Sequence, residues 1–506
     1  MLFFAGWRIT ALGKGNTFFF DEWNFVLDRA DPSIHSLLTP HNGHLSIIPV
    51  VLYQAFLRVF GGGTYVPFRE SAMLLHCGIA LAVAVIVKRR VGYIASLSAA
   101  GVVAFMGSGW QNWLWGFQIG MEMSVLTGLF AIVCLTGEPF RNRQWIVVIL
   151  LLVSVASSGV GVSVLLGVFL LAQKRRWRLV TRSSIVVVLF YGLWAVTYGE
   201  SQIKEDNFRL LPSYVARSGA AVMAGIGTWD LAIGGVLLGA MAVLFRQKAR
   251  ALWRDMPEVA SLVLILVMGW ILSALTRAQF NEPGASRYVH VGVSLAVPIS
   301  VLVVCGSRPT RLKALALFLV SVVAVAGSWD VADSAGREFR DRSATVRAEL
   351  TAMMQVKDVI RHDYRPDPSR APQLTFARFR KFAKRFDAPL MNAQEIASVS
   401  EPVRKEMDRV FLESTRVGLI DAPQPAGWNC ATAAPNSVVK IPAGRQVWFS
   451  GVHSVEVNRM ARETTSFVPS KPGAPSILKF GNDSNSHRWS VRLISASDVQ
   501  ICDQSR

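Results

Sequence analysis

Apolar segments recur along the first two thirds of the chain. They fall at residues 67–87, 91–108, 113–135, 144–157, 160–173, 183–199, 229–246, 258–276, 288–306 and 311–328, after an opening stretch, MLFFAGWRITALGKGN, that is itself apolar. A helix needs ~20 apolar residues to cross ~30 Å of hydrocarbon. The pattern therefore predicts an α-helical polytopic membrane protein of about eleven transmembrane helices over residues 1–328. The opening stretch has neither a basic leader nor a small-residue cleavage site, so it is expected to be a short first membrane helix rather than a cleaved signal. The pair 144–157 and 160–173 is short for two crossings, and SSGVG (Ser157–Gly161) between them reads as a hairpin turn. Residues 213–228, rich in small side chains, are expected to lie along the surface.

From about Trp329 the pattern changes to a charged, proline-punctuated sequence, which predicts a separate soluble domain. Residues 329–427 form its helical and linker region. The basic, helically periodic FARFRKFAKRF (Phe376–Phe386) is read either as a solvated amphipathic helix or as a contact for anionic headgroups. Residues 428–506 alternate apolar and polar positions in SVVKIPAGRQVWFSGVHSVEV and HRWSVRLISASDVQIC between Gly, Pro and Asn turns, which predicts a small β-sandwich.

Composition agrees with a membrane chain. Of 506 residues 52% are hydrophobic, and mean hydropathy is +0.36. The net charge of +19 excludes little by itself, but the basic residues gather in short loops without aromatic platforms, so nucleic acid is not the expected partner. Those loops are KRR (Lys88–Arg90), RNR (Arg141–Arg143), KRRWR (Lys174–Arg178), RQKARALWR (Arg246–Arg254) and SRPTRLK (Ser307–Lys313). They alternate with less basic loops, and the positive-inside bias puts them in the cytoplasm together with the N-terminus of a multi-pass cell-membrane protein. A first loop of about 18–66, the Gly159 turn, the loops 200–212 and 277–287, and the C-terminal domain are then extracytoplasmic. Cys430 and Cys502 are the two cysteines of that tail, and in an oxidising compartment they are candidates for a disulfide.

The first outer loop carries the densest chemistry. FFFDEW sets Asp21 and Glu22 between aromatic side chains at the expected end of a span. Two readings stand side by side: polar residues marking where the helix leaves the membrane, or a base paired with an orienting acid, its pKa lifted by apolar neighbours. In PHNGH, His41 and His44 have a His-x-x-His spacing, but Asn42-Gly43 favours a turn and no third ligand is evident. Sugar hydrogen bonding by His41, Asn42 and His44, a divalent metal site and plain loop structure are all open. In GSGWQNWLWGFQIGMEM (Gly107–Met123), Gln111, Gln118 and Glu122 recur at helical spacing, as a polar stripe facing a cavity or as interhelical hydrogen bonding.

An acidic pair in the first outer loop of an approximately eleven-span chain with an external tail domain resembles the glycosyltransferase C superfamily, membrane enzymes that take sugars from polyprenyl-phosphate carriers. The segments DEWNFVLDR, PHNGHLSIIPV, GWQNWLWGFQIG, SSGVG and SRYVHVG resemble more narrowly a group of bacterial membrane proteins loosely placed with that superfamily; the tail carries no such likeness. The resemblance implies an inverting transfer from a polyprenyl-phosphate sugar to a cell-envelope glycan, lipid or protein. Asp21 is then the general base and Glu22 its second, with no cofactor required beyond a divalent metal in some cases. Arg277 and Arg287 in TRAQFNEPGASRY, with Tyr288, are candidates for the carrier phosphate, or alternatively interfacial anchors. A lipid-linked sugar or small-molecule transporter would concentrate ionisable groups at the bilayer midplane instead. A non-catalytic glycan-binding membrane protein would have no use for an ionisable Asp21.

Overall fold

The computed structural model describes residues 1–138, 140–306, 310–369, 371–414, 417–480 and 488–503. Part of the expected basic loop, residues 307–309, lies outside them. The chain divides into two compact units, residues 1–16, 28–59 and 65–340, and residues 17–27, 60–64 and 341–506.

In the first unit each expected apolar segment is helical: Leu2–Leu12, Val66–Val91, Tyr93–Ala104, Ile119–Thr136, Arg143–Val155, Val160–Lys174, Arg178–Thr197, Leu231–Asp255, Pro257–Arg277, Ser286–Cys305 and Arg311–Gln355, the last running on into the second unit. Among the described residues seven helices are long and apolar enough to cross a membrane, and Tyr93–Ala104 makes an eighth with the segment Gly107–Leu114, to which it is bent by 44°. The difference from eleven lies in Leu2–Leu12, Arg143–Val155 and Val160–Lys174, of 11, 13 and 15 residues. These reach only about 16 to 23 Å at ~1.5 Å per residue. The chain is thus a polytopic helical membrane protein in which the short pair is a broken hairpin. The break is stabilised locally: Ser124 and Ser154 each donate from Oγ to the other's carbonyl (2.7 and 3.0 Å), and the N–H of Ile48 donates to Ala156 O at 3.1 Å. Backbone freed at membrane depth needs such partners. The surface segment expected at 213–228 belongs to the helix Asp206–Gly225.

Loop chemistry sorts by end. At one end Arg90 bonds the buried Glu258 at 2.6 Å, Lys248 bonds Val303 O at 2.6 Å, Arg143 lies 4.2 Å over Trp177 and Lys174 lies 4.9 Å over Trp253, so four of the basic loops meet. The loops assigned to the opposite side gather around His41 and His44, as described below.

The second unit contains the helices Phe376–Phe386, Ala393–Ser398 and Glu401–Ser414 and nine strands: β1 Gly418–Asp421, β2 Asn429–Ala433, β3 Val438–Ile441, β4 Gln446–Ser450, β5 Ser454–Asn458, β6 Thr465–Phe467, β7 Ser476–Lys479, β8 Trp489–Ile494 and β9 Val499–Asp503. They form two antiparallel sheets, in the orders β1-β7-β4-β9-β2 and β3-β8-β5-β6. Val455, Val457, Val491 and Leu493 alternate inward, as half-buried strands require. Strand structure begins at Gly418, ten residues before Trp428. Cys430 and Cys502, facing each other on β2 and β9, form a disulfide.

Candidate functional site

The acidic pair belongs to the second unit, and aromatic packing holds it there. Phe18 and Trp23 are fully buried against each other, ring centroids 5.6 Å apart. Trp23 sets its edge on Phe379 and Phe382 at 6.1 and 6.3 Å, and Phe18 meets Phe382 at 6.3 Å. Phe376, Phe379, Phe382 and Phe386 are the buried face of the basic helix Phe376–Phe386, so its apolar stripe faces the FFFDEW segment rather than solvent. The N–H of Thr17 donates to Ser343 Oγ (3.3 Å), and Gln373 Nε2 donates to Phe20 O (3.1 Å). Phe20 adopts a left-handed backbone, φ 56°, a conformation that costs a bulky residue ~1–3 kcal/mol. It is over-determined by the bonds on either side.

This turn separates the two acids. Glu22 is fully buried at the start of the helix Glu22–Asp28, and its Oε2 accepts the N–H of Phe19 at 3.1 Å. Asp21 is half-buried and stands at the crest of the turn. Glu22 is thus bonded within the turn, and Asp21 is the more exposed of the two acids.

In the first unit the chain reverses at PHNGH. His41 and His44 exchange backbone hydrogen bonds of 2.9 Å, and Asn42 and Gly43 both have positive φ, 49° and 76°. This is the two-residue turn that Asn-Gly favours, so His41 and His44 do not share a helical face. Among the described residues no third His, Cys, Asp or Glu completes a metal set with them. Arg29 donates to Pro40 O at 2.6 Å and Gln54 Nε2 to Arg29 O at 2.8 Å, which fixes the entry to the turn.

Distant segments converge on this turn. The His41 ring stands edge-on to Phe117 at 5.1 Å, and Phe117 stacks on Trp115. A Cβ at Gly159 would lie 2.6 Å from His44 Nδ1, and one at Gly43 would lie 2.6 Å from Gln202 Cγ. Both contacts require the hydrogen that glycine carries there. Asn207 Nδ2 bonds Leu275 O at 2.9 Å, tying the loop after residue 200 to the helix that ends in Arg277. The four loops assigned to the outer side by charge thus meet in one place. Burial, with Arg29, His44 and Arg277 nearby, lowers the His41 pKa to about 3. Burial and Arg277 lower His44 to about 4, so both imidazoles are neutral at pH 7.

The Arg277 side chain has no hydrogen bond or ion pair among the described residues, whereas Arg287 is positioned: its Nη1 and backbone N–H approach Gln111 Oε1 at 3.4 and 3.3 Å, and its guanidinium lies 4.9 Å over Tyr288. Both arginines act electrostatically on the Tyr214 hydroxyl, which lies 3.3 Å from Ser273 Oγ. A cleft of about 350 Å³ beside this loop is lined by Arg217, Asn281 and Glu282.

The proposed polar stripe takes another form. Residues 107–123 are four elements, Gly107–Gly109, Trp110–Leu114, Gly116–Gln118 and the start of Ile119–Thr136, so Gln111, Gln118 and Glu122 do not line one helix face. Glycines cause the breaks. A Cβ at Gly107 would fall 2.2 Å from Ser328 O, and the N–H of Gly116 donates to Tyr65 Oη at 2.7 Å. Gln111 reaches Arg287, while Gln118 and Glu122 are buried. Sequence reasoning passed over Arg29, His76 and His290. A histidine within an apolar span was the available signal for the last two.

No protein-family model matches the sequence, and none of the curated proteins matches it. Among solved structures, the crystal structure of ArnT from Cupriavidus metallidurans bound to undecaprenyl phosphate aligns over 94% of this chain and 97% of its own, at 11% identity and a TM-score of 0.45. A likeness at that score carries no argument, and the functional reading rests on the residues themselves.

Proposed function

We propose that the chain is a membrane glycosyltransferase that moves a sugar from a polyprenyl-phosphate carrier to an extracytoplasmic acceptor. The supporting observation is the convergence of the His41–His44 turn, Phe117, Gly159 and Arg277 from loops that the charge pattern puts on one side of the membrane. Neutral imidazoles beside Asn42 suit sugar hydroxyls, since each both donates and accepts. Arg277 and Arg287, with Tyr288 beside the second, suit the carrier phosphate, which guanidinium binds bidentately.

In the transfer, Asp21 takes the proton of the acceptor hydroxyl as its oxygen bonds to the anomeric carbon. The bond from that carbon to the phosphate oxygen breaks, and the arginines take up the charge that develops on the leaving phosphate. Glu22 keeps the Phe19–Glu22 turn in shape. Gln118 and Glu122 are buried and are given no step in this transfer.

The test is transfer of a labelled sugar from polyprenyl phosphate by the purified full chain. Asp21→Asn should lower turnover by the ~10² to 10⁴-fold typical of a general base while donor binding persists. Full turnover in Asp21→Asn would remove the base from the proposal. Carrier-linked sugar crossing proteoliposomes with its glycosidic bond intact would replace the enzyme with a transporter.

A further inference from the structure

We infer that His76, Glu122 and His290 form an intramembrane binding site for a divalent transition-metal ion of the zinc class, which pins the helices Val66–Val91, Ile119–Thr136 and Ser286–Cys305 together. All three side chains are completely buried, and one ligand atom from each lies within 4.8 Å of the others. His76 Nδ1 is 2.9 Å from His290 Nε2, which is 3.1 Å from Glu122 Oε1. Zinc–ligand bonds of about 2.0 Å in a tetrahedron put neighbouring ligand atoms about 3.3 Å apart. Two of the three separations are thus within a few tenths of an ångström of that spacing, and the third is at most 4.8 Å.

Hydrogen atoms alone do not satisfy these contacts. His76 Nε2 lies 3.2 Å from the carbonyl of Ala104, which can only accept, so in the neutral ring the proton is on Nε2 and Nδ1 presents a lone pair to the cluster. A backbone carbonyl fixing the far nitrogen is the usual support of a metal-ligating histidine. One hydrogen on His290 Nε2 cannot point at both His76 Nδ1 and Glu122. Among the described residues, neither oxygen of Glu122 receives a well-directed hydrogen bond. Asn112 lies beside the carboxylate, yet both of its amide atoms are likewise without a hydrogen bond of good geometry. Buried polar groups left this way are destabilising. A cation at the centre engages Nδ1, Nε2 and the carboxylate together.

The chemistry of the donors selects the ion. Two imidazoles and one carboxylate favour zinc and its transition-metal neighbours over magnesium or calcium, which prefer oxygen. Gly109 supplies the space, because a Cβ there would lie 2.8 Å from His290 Cδ2. Buried on every side, the site is of the closed kind that crosslinks structure. It shares no ligand with the His41–His44 turn.

The experiment uses the full chain, purified through a tag without histidine, equilibrated with zinc and then freed of loose metal. Plasma mass spectrometry should find about one tightly held zinc per chain, and cobalt substitution should give the visible absorption of a tetrahedral site. Glu122→Gln and His290→Gln should each lower retained metal at least about tenfold, whereas His41→Ala/His44→Ala should leave it unchanged. Wild-type protein that retains no metal, with Glu122 simply a neutral acid, would overturn the inference. So would metal that follows His41 and His44. Should Glu122→Gln and His290→Gln fail to fold, the wild-type stoichiometry, the cobalt spectrum and the His41/His44 variant still decide.

Discussion

Protonation of His41 gives a prediction whose size follows from its surroundings. The ring is 8% exposed, faces Phe117, and has Arg29, His44 and Arg277 about it, and its pKa falls from 6.5 to about 3. Below pH 6.5 the unfolded chain takes up a proton that the folded chain refuses until about pH 3. The stability associated with the neutral ring is therefore complete above pH 6.5 and is lost as pH falls through that window. At ~1.36 kcal/mol per pH unit the loss is about 2 kcal/mol between pH 7 and pH 5. Urea titration in neutral-detergent micelles at the two pH values measures it. Wild type should lose about 2 kcal/mol more than His41→Gln, whose amide fills similar space without titrating. Parallel losses would mean that the folded imidazole protonates freely, and the picture of a neutral, arginine-flanked turn would fall. The same reasoning predicts no break in donor binding near pH 6.5 from either His41 or His44.

Arg277→Ala or Arg287→Ala should weaken donor binding by ~1.5–3 kcal/mol, with Lys restoring only part; unchanged affinity in equilibrium binding would return both to membrane anchors. Gly159→Ala should behave in donor binding like His44→Ala, because the new Cβ would meet Nδ1 at 2.6 Å; the glycine has helical dihedrals, φ −58° and ψ −23°, so thermal stability should hold, and unaltered binding would refute the contact. Trp23→Ala should destabilise the second unit by ~3–5 kcal/mol and lower turnover in parallel with Asp21→Asn, while Trp23→Phe recovers most of both. Normal turnover in Trp23→Ala would separate the acidic turn from catalysis.

Much of this molecule follows from neighbours along the chain. Hydropathy over ~20 residues decides whether a segment can live in lipid, so every expected apolar stretch is a helix. Alternation at period two decides strands, and Asn42-Gly43 carries its turn in its own dihedral preferences. Loop charge divides the connections into two sets, and in the fold four basic loops contact one another while the other set gathers at the His41–His44 turn. Other features needed the tertiary structure. Helices of 11 to 15 residues are as apolar as longer ones, and only the chain's breaks, with Ser124 and Ser154 bonded across one of them, limit their reach. Gln111, Gln118 and Glu122 keep helical spacing in the sequence, but glycines pressed against Ser328 and Tyr65 interrupt the helix. Glu22 and Asp21 look alike as adjacent acids, and only the turn held by Phe379 and Phe382, more than 350 residues on, buries one fully and the other in part. His76 and His290 are single polar residues in greasy helices until packing sets their nitrogens 2.9 Å apart. Local preference acts through bonds and solvent that every sequence neighbour shares, whereas a site is made by side chains whose proximity exists only after the helices have packed.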